Sequence, residues 1–116
     1  HLQETKEHIN RLNQVFQTLG KRPGGVDCPA IDGIIEEAND VASEVDDKQV
    51  LDAALIAAAQ AVEHYEMTRY GTLVAWAEQM GRRDVVTPLQ KTLEEEKATD
   101  KRLTAMAESN INRKAA

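Results

Sequence analysis

Two glutamates in the segment DAALIAAAQAVEHYEMTRYGTL, residues 52–73, stand in the apolar side of a helical pattern. At about 100° per residue, Leu55, Ala59, Val62, Glu66 and Leu73 share one side, with Glu63 and Tyr70 just beside them. An ionised carboxylate is costly to bury alone, so each of these needs a cation, a metal ion or a proton as partner. The same irregularity recurs twice. Glu96 and Asp100 continue the line of Leu89, Leu93 and Leu103, while His1, Thr5 and His8 flank the line of Leu2, Ile9 and Leu12, with Glu4 at its edge. Three helices would therefore each bring carboxylate or imidazole groups inward, which is how helical bundles build di-iron and di-manganese sites. Oxygen-rich donors with some imidazole suit iron or manganese better than a structural zinc. The metal ligands expected on this reading are Glu63, Glu66, Glu96, Glu4, His1 and Asp100.

The usual Glu-x-x-His spacing of such sites does not occur. Its nearest relatives are His1-x-x-Glu4, Glu4-x-x-x-His8, Glu63-x-x-Glu66 and Glu96-x-x-x-Asp100. Plainer readings compete. Glu36, Glu37, Glu94 and Glu95 belong on solvated faces, and Glu4 divides between solvation and ligation. Arg69 falls near the face of Glu66 and can neutralise it without metal. His64 points away from the main apolar face, toward a surface or dimer contact. His8 reads as a hydrogen-bonded histidine at the core rim. Tyr65 and Tyr70 can pack or donate to a carboxylate, and Cys28 before Pro29 reads as a loop cysteine. No nucleophile–base arrangement or glycine-rich phosphate loop is present, and KRPGG at 21–25 is too short to name a ligand.

The elements that must position these groups are all helical. The 116 residues suit one domain. Apolar spacing predicts helices over about 1–19, 29–43, 48–80 and 84–108, with a frayed tail at 109–116. Gly20 and Gly81 should end the first and third. Asp46 and Asp47 should cap the third and Asp84 the fourth, with Pro88 within its first turn. Gly71, inside the third helix, suggests a close helix crossing. Leu51, Trp76 and Met80 are expected in buried contacts. Three long helices and one short one leave an apolar wall uncovered, which predicts an oligomer.

A net charge of −6 argues against nucleic acid. The longest apolar run, 53–59, is far short of the ~20 residues of a membrane span. One cysteine excludes an intramolecular disulfide and fits a reducing cytoplasm.

HLQETKEHINRL, CPAIDGIIEEAND, DAALIAAAQAVEHYEMTRYGTL and LEEEKATDKRLTAMAESNIN together resemble the YciF-like family of bacterial stress-associated ferritin-like proteins. The resemblance implies a ferritin-like helical bundle forming a single domain over 1–108, usually dimeric, with a short extra helix and carboxylate metal binding. His1, Glu4, Glu63, Glu66 and Glu96 match the family pattern, whereas position 8 is often Gln there. Family members carry a further N-terminal helix, with its own inward Glu, before the point where this sequence begins. A second chain or a segment outside this sequence would have to supply it. The functional expectation is a stress protein with an iron or manganese di-metal site capable of O₂ or peroxide chemistry. The alternatives are a metal-free homodimer with a structural or interaction role, and a helical ligand-binding module using the groove around Ala58 and Ala59.

Overall fold

Local capping chemistry sets the helix boundaries. A computed structural model describes residues 1–116, in the order α1 (Leu2–Thr18), α2 (Pro29–Glu44), α3 (Lys48–Gln79), α4 (Arg83–Met106), a π-turn (Ala107–Ile111) and α5 (Asn112–Ala115). No strand occurs. α1 and α3 both end in the same motif. Gly20 (φ +65°) and Gly81 (φ +67°) turn left-handed. The following amides reach back, Lys21 to Phe16 and Arg82 to Ala77, each at 2.9 Å. Glycine takes that conformation without the steric penalty of a Cβ. Asp47 caps α3, its Oδ1 accepting from the amides of Gln49 (2.8 Å) and Val50 (3.0 Å). Pro29 opens α2, where its missing N–H costs nothing.

Three expectations are corrected. Asp84 sits inside the first turn of α4, and its carboxylate takes the Arg82 guanidinium at 2.8 and 3.0 Å. Pro88 lies beyond the first turn, within the helix, so the Asp84 carbonyl lacks its i+4 donor. The tail, read from the sequence as irregular, is helical as far as Ala115 through the π-turn and α5.

The residues group into two compact units. The first comprises His1–Val26 and Glu66–Lys97, that is α1, the second half of α3 and most of α4. Its core is Val15, Val74, Ala77, Val85 and Leu89, with Leu12, Tyr70 and Val86 packed against it. The second comprises Asp27–Tyr65 and Ala98–Ala116. Here α2 buries no residue fully. A cavity of about 300 Å³ lies between α2 and α3, lined by Ile34, Ala38, Val41, Ala54 and Ala58 among others.

The inward face of α3 differs from the expected one. Ile56, Glu63, Val74 and Ala77 are buried, and they fall within about 60° of arc on a helical wheel. Leu55 and Leu73, expected inside, are substantially exposed, as are Trp76 (62%) and Met80 (65%). α3 thus carries two apolar faces, of which one is covered within the chain, and periodicity could not choose between them.

The close crossing expected at Gly71 is absent, since a Cβ built there meets nothing within 4 Å. Gly71→Ala should therefore stabilise the protein by about 1 kcal/mol, the helix-propensity difference. Urea denaturation measures this, and a loss of stability would instead reveal a packing surface at that position.

Candidate metal centre

α1 and the middle of α4 build a polar cluster inside the first unit. Helical spacing places His1, Glu4, His8 and Arg11 along one side of α1, and Thr92, Glu95 and Glu96 along α4. Glu96 is wholly buried and His8 is 4% exposed. Both His8 ring nitrogens face carboxylates. Nε2 is hydrogen-bonded to Glu95 Oε2 at 3.0 Å, and Nδ1 lies 2.7 Å from Glu96 Oε1. The imidazole thus stands between an exposed-side carboxylate and a wholly buried one, polar company for a Glu96 taken out of water.

Arg11 fixes the outer end of this chain. Its guanidinium donates to both oxygens of Glu95, at 2.5 and 3.0 Å, and to Thr92 Oγ1 at 3.2 Å. This two-pronged geometry is the strong form of an Arg–carboxylate pair. The Arg11 bond, aided by His8, holds the Glu95 carboxyl below its usual range, against the opposing effect of burial. The same bond pushes the Arg11 guanidinium above its ordinary value.

His1 reaches the cluster from the start of the chain. Its Nδ1 lies 3.2 Å from Glu4 Oε2. One ring nitrogen of His1 and a carboxylate oxygen of Glu96 lie within 4.8 Å of each other, a separation that a shared metal ion can span. Tyr70 packs edge-on to His8, with ring centroids 6.5 Å apart. Its phenol is pushed up to about 12, first by burial and then by the charges of Glu66 and Glu96, with Arg11 opposing.

The remaining expected ligands stand differently. Glu66 is partly buried on α3. Glu63, one turn earlier, is 3% exposed and belongs to the second unit. Asp100 lies in that unit as well. Its Oδ1 faces His64 Nε2 at 2.9 Å and accepts from Gln60 Nε2 at 3.2 Å, and Gln60 also donates to Thr104 at 2.8 Å. His64 is largely exposed, as expected for a surface residue. The Cys28 thiol lies 2.9 Å from the Tyr65 hydroxyl. The sequence reading missed Arg11 and Glu95, because Glu95 looked like one more solvated acid. The available signal was His8-x-x-Arg11, an imidazole and a guanidinium one turn apart beside an apolar line.

The donor set of carboxylates with imidazole, partly buried, fits a hard or borderline cation such as iron or manganese. No helix is long and apolar enough to cross a membrane.

An alkaline titration tests the surroundings of Tyr70. A phenol with a raised value contributes stability fully present below the ordinary tyrosine range near 10, and loses it as pH rises toward 12. Absorbance of phenolate should show a step near pH 12 that disappears in Tyr70→Phe. A Tyr70 step near pH 10 would contradict the buried, anionic setting.

Residues 1–116 match the family described as Domain of unknown function (DUF892). The protein YciF of Escherichia coli strain K12 is 50% identical over 116 residues, covering 99% of this chain and 70% of that protein. The crystal structure of the E. coli stress protein YciF superposes with a TM-score of 0.90 at 50% identity, covering 97% of this chain and 71% of that one. YcfI of Rhodopseudomonas palustris, described as a candidate structural protein, gives 0.87 at 59% identity over 90% of this chain and 66% of that one. The chain thus spans about two thirds of these relatives' length. The all-α, ferritin-like fold inferred from the sequence agrees with these likenesses. The chain belongs to the DUF892 family.

Proposed function

For this DUF892 member, we propose a metal-binding stress protein whose carboxylate and imidazole groups hold iron or manganese. The observation that carries this reading is the wholly buried Glu96, with a ring nitrogen of His1 within 4.8 Å. Glu4 stands beside His1. A buried carboxylate needs a cation or a proton as partner, and the interior of a helical bundle is where carboxylate metal sites are built. On this reading His1, Glu4, Glu66 and Glu96 are ligands in the first unit, and Glu63, one turn before Glu66 on α3, is a further candidate. Asp100, engaged with His64 and Gln60, is the weakest member of the set. A bound di-metal centre would supply O₂ or peroxide chemistry. The stress role rests on what the E. coli relative is called.

A specific observation favours a second reading, a metal-free homodimer with a structural role. Leu55, Leu73, Trp76 and Met80 leave an apolar face of α3 in water, and His8 already faces the buried Glu96 without metal. The homodimer is part of both readings, with two copies joined along α3. Light scattering at micromolar concentration should show a dimer, and Trp76→Glu should shift it toward monomer. A compact wild-type monomer would remove this element.

Thermal melting separates the readings. A cation that binds only the native state stabilises by RT ln(1 + [L]/Kd), about 2.7 kcal/mol at a hundredfold excess over Kd. Mn(II), or Fe(II) under anaerobic conditions, should raise the midpoint. The double variant Glu63→Gln, Glu66→Gln should lose that rise and keep its apo fold. An unchanged wild-type midpoint, with no metal found by elemental analysis, would leave the structural dimer as the better account.

A further inference from the structure

We infer that Arg11 and Glu95 are positioning residues for the metal centre, acting through His8 on Glu96; the inference rests on the metal-binding reading above. Four features of the first unit carry it. Both oxygens of Glu95 are taken by Arg11, and Oε2 also meets His8 Nε2 at 3.0 Å. Arg11 is anchored a second time on Thr92, which is 1% exposed. His8 is itself buried, so its ring has little room to turn away from this partner. Its other nitrogen, Nδ1, then lies 2.7 Å from Glu96 Oε1.

The result is a relay of fixed geometry from a guanidinium at the rim to the buried carboxylate. Glu95 sets the ring orientation of His8, and His8 Nδ1 in turn stands against Oε1 of the Glu96 carboxylate and helps to hold it in place. His8 thereby serves as a holder of Glu96 and stays outside the metal's coordination shell. A family of outer groups that orient the ligands is what metal sites need to keep their affinity, and loss of one costs about 10–100-fold. An exposed surface pair would have no such consequence.

Co(II) is the probe, because its visible absorption reports both occupancy and ligand geometry. Wild-type protein, Glu95→Gln, Arg11→Met and Arg11→Lys are titrated with Co(II), with thermal melting of each apo protein in parallel. Glu95→Gln and Arg11→Met should weaken Co(II) binding about 10–100-fold and alter the band shape. Arg11→Lys, which keeps the charge and loses the fork, should fall between them and wild type. Imidazole ¹⁵N spectra of the metal-free proteins give an independent reading: the His8 Nε2 signal should shift in Glu95→Gln. Should Arg11→Met fail to fold, the near-isosteric Glu95→Gln carries the test. Wild-type binding that persists unchanged in folded variants overturns the positioning role and leaves the metal reading intact. A wild-type protein that binds no Co(II), Mn(II) or Fe(II) overturns both.

Discussion

The contact on which the first unit depends is that between a fully buried carboxylate and a nearly buried imidazole, Glu96 and His8 at 2.7 Å. Removing an isolated charge from water costs several kcal/mol even after the protein relaxes. α1 brings a polar group to the buried Glu96 that α4 presents to the interior. That group is itself held in place, since His8 is tied to Glu95 and Glu95 to Arg11. Apolar residues alone would bring the two helices together through Val15, Val85 and Leu89. The polar chain adds register, because its bonds form only when residues 8 and 11 of α1 stand opposite 92, 95 and 96 of α4. Buried polar networks of this kind specify one packing and do not simply maximise stability.

α3 answers to two demands at once. Its buried line of Ile56, Val74 and Ala77 also contains Glu63, so the helix contributes both packing and charge from one face. Its other apolar face, with Leu55, Leu73, Trp76 and Met80, stays substantially exposed. A helix apolar on two sides gives a weak amphipathic signal, and this is why the face inferred from spacing lay to one side of the buried one. Gly71 follows the same logic. A glycine within a long helix suggests close approach of another backbone, yet space around it is open.

Part of the buried polar cluster was legible because carboxylates and imidazoles on apolar lines are rare and therefore conspicuous. Glu63 and Glu96 were singled out in this way, and both are buried. Glu95 was not, since one acid among Glu94, Glu95 and Glu96 carries no sign of which turns inward. Asp100 continued the same apolar line as Glu96, but a neighbouring Gln60 and His64 engage it. Those partners lie about forty residues away in sequence, and no local pattern reveals them.

What the sequence determined by itself is the four main helices and, at Gly20, Asp47 and Gly81, where they stop or start. Gly20, Asp47 and Gly81 act on amides and carbonyls within a few residues, so their effect is complete before any distant contact forms. The sequence also determined that some carboxylates must meet a cation or a proton. Only the tertiary structure decided which partner each one has. That choice depends on how far α1 is rotated against α4, and rotation is set by the sum of side-chain packing over the whole interface. The pairing of Arg11 with Glu95 and of His8 with Glu96 is the outcome of that sum.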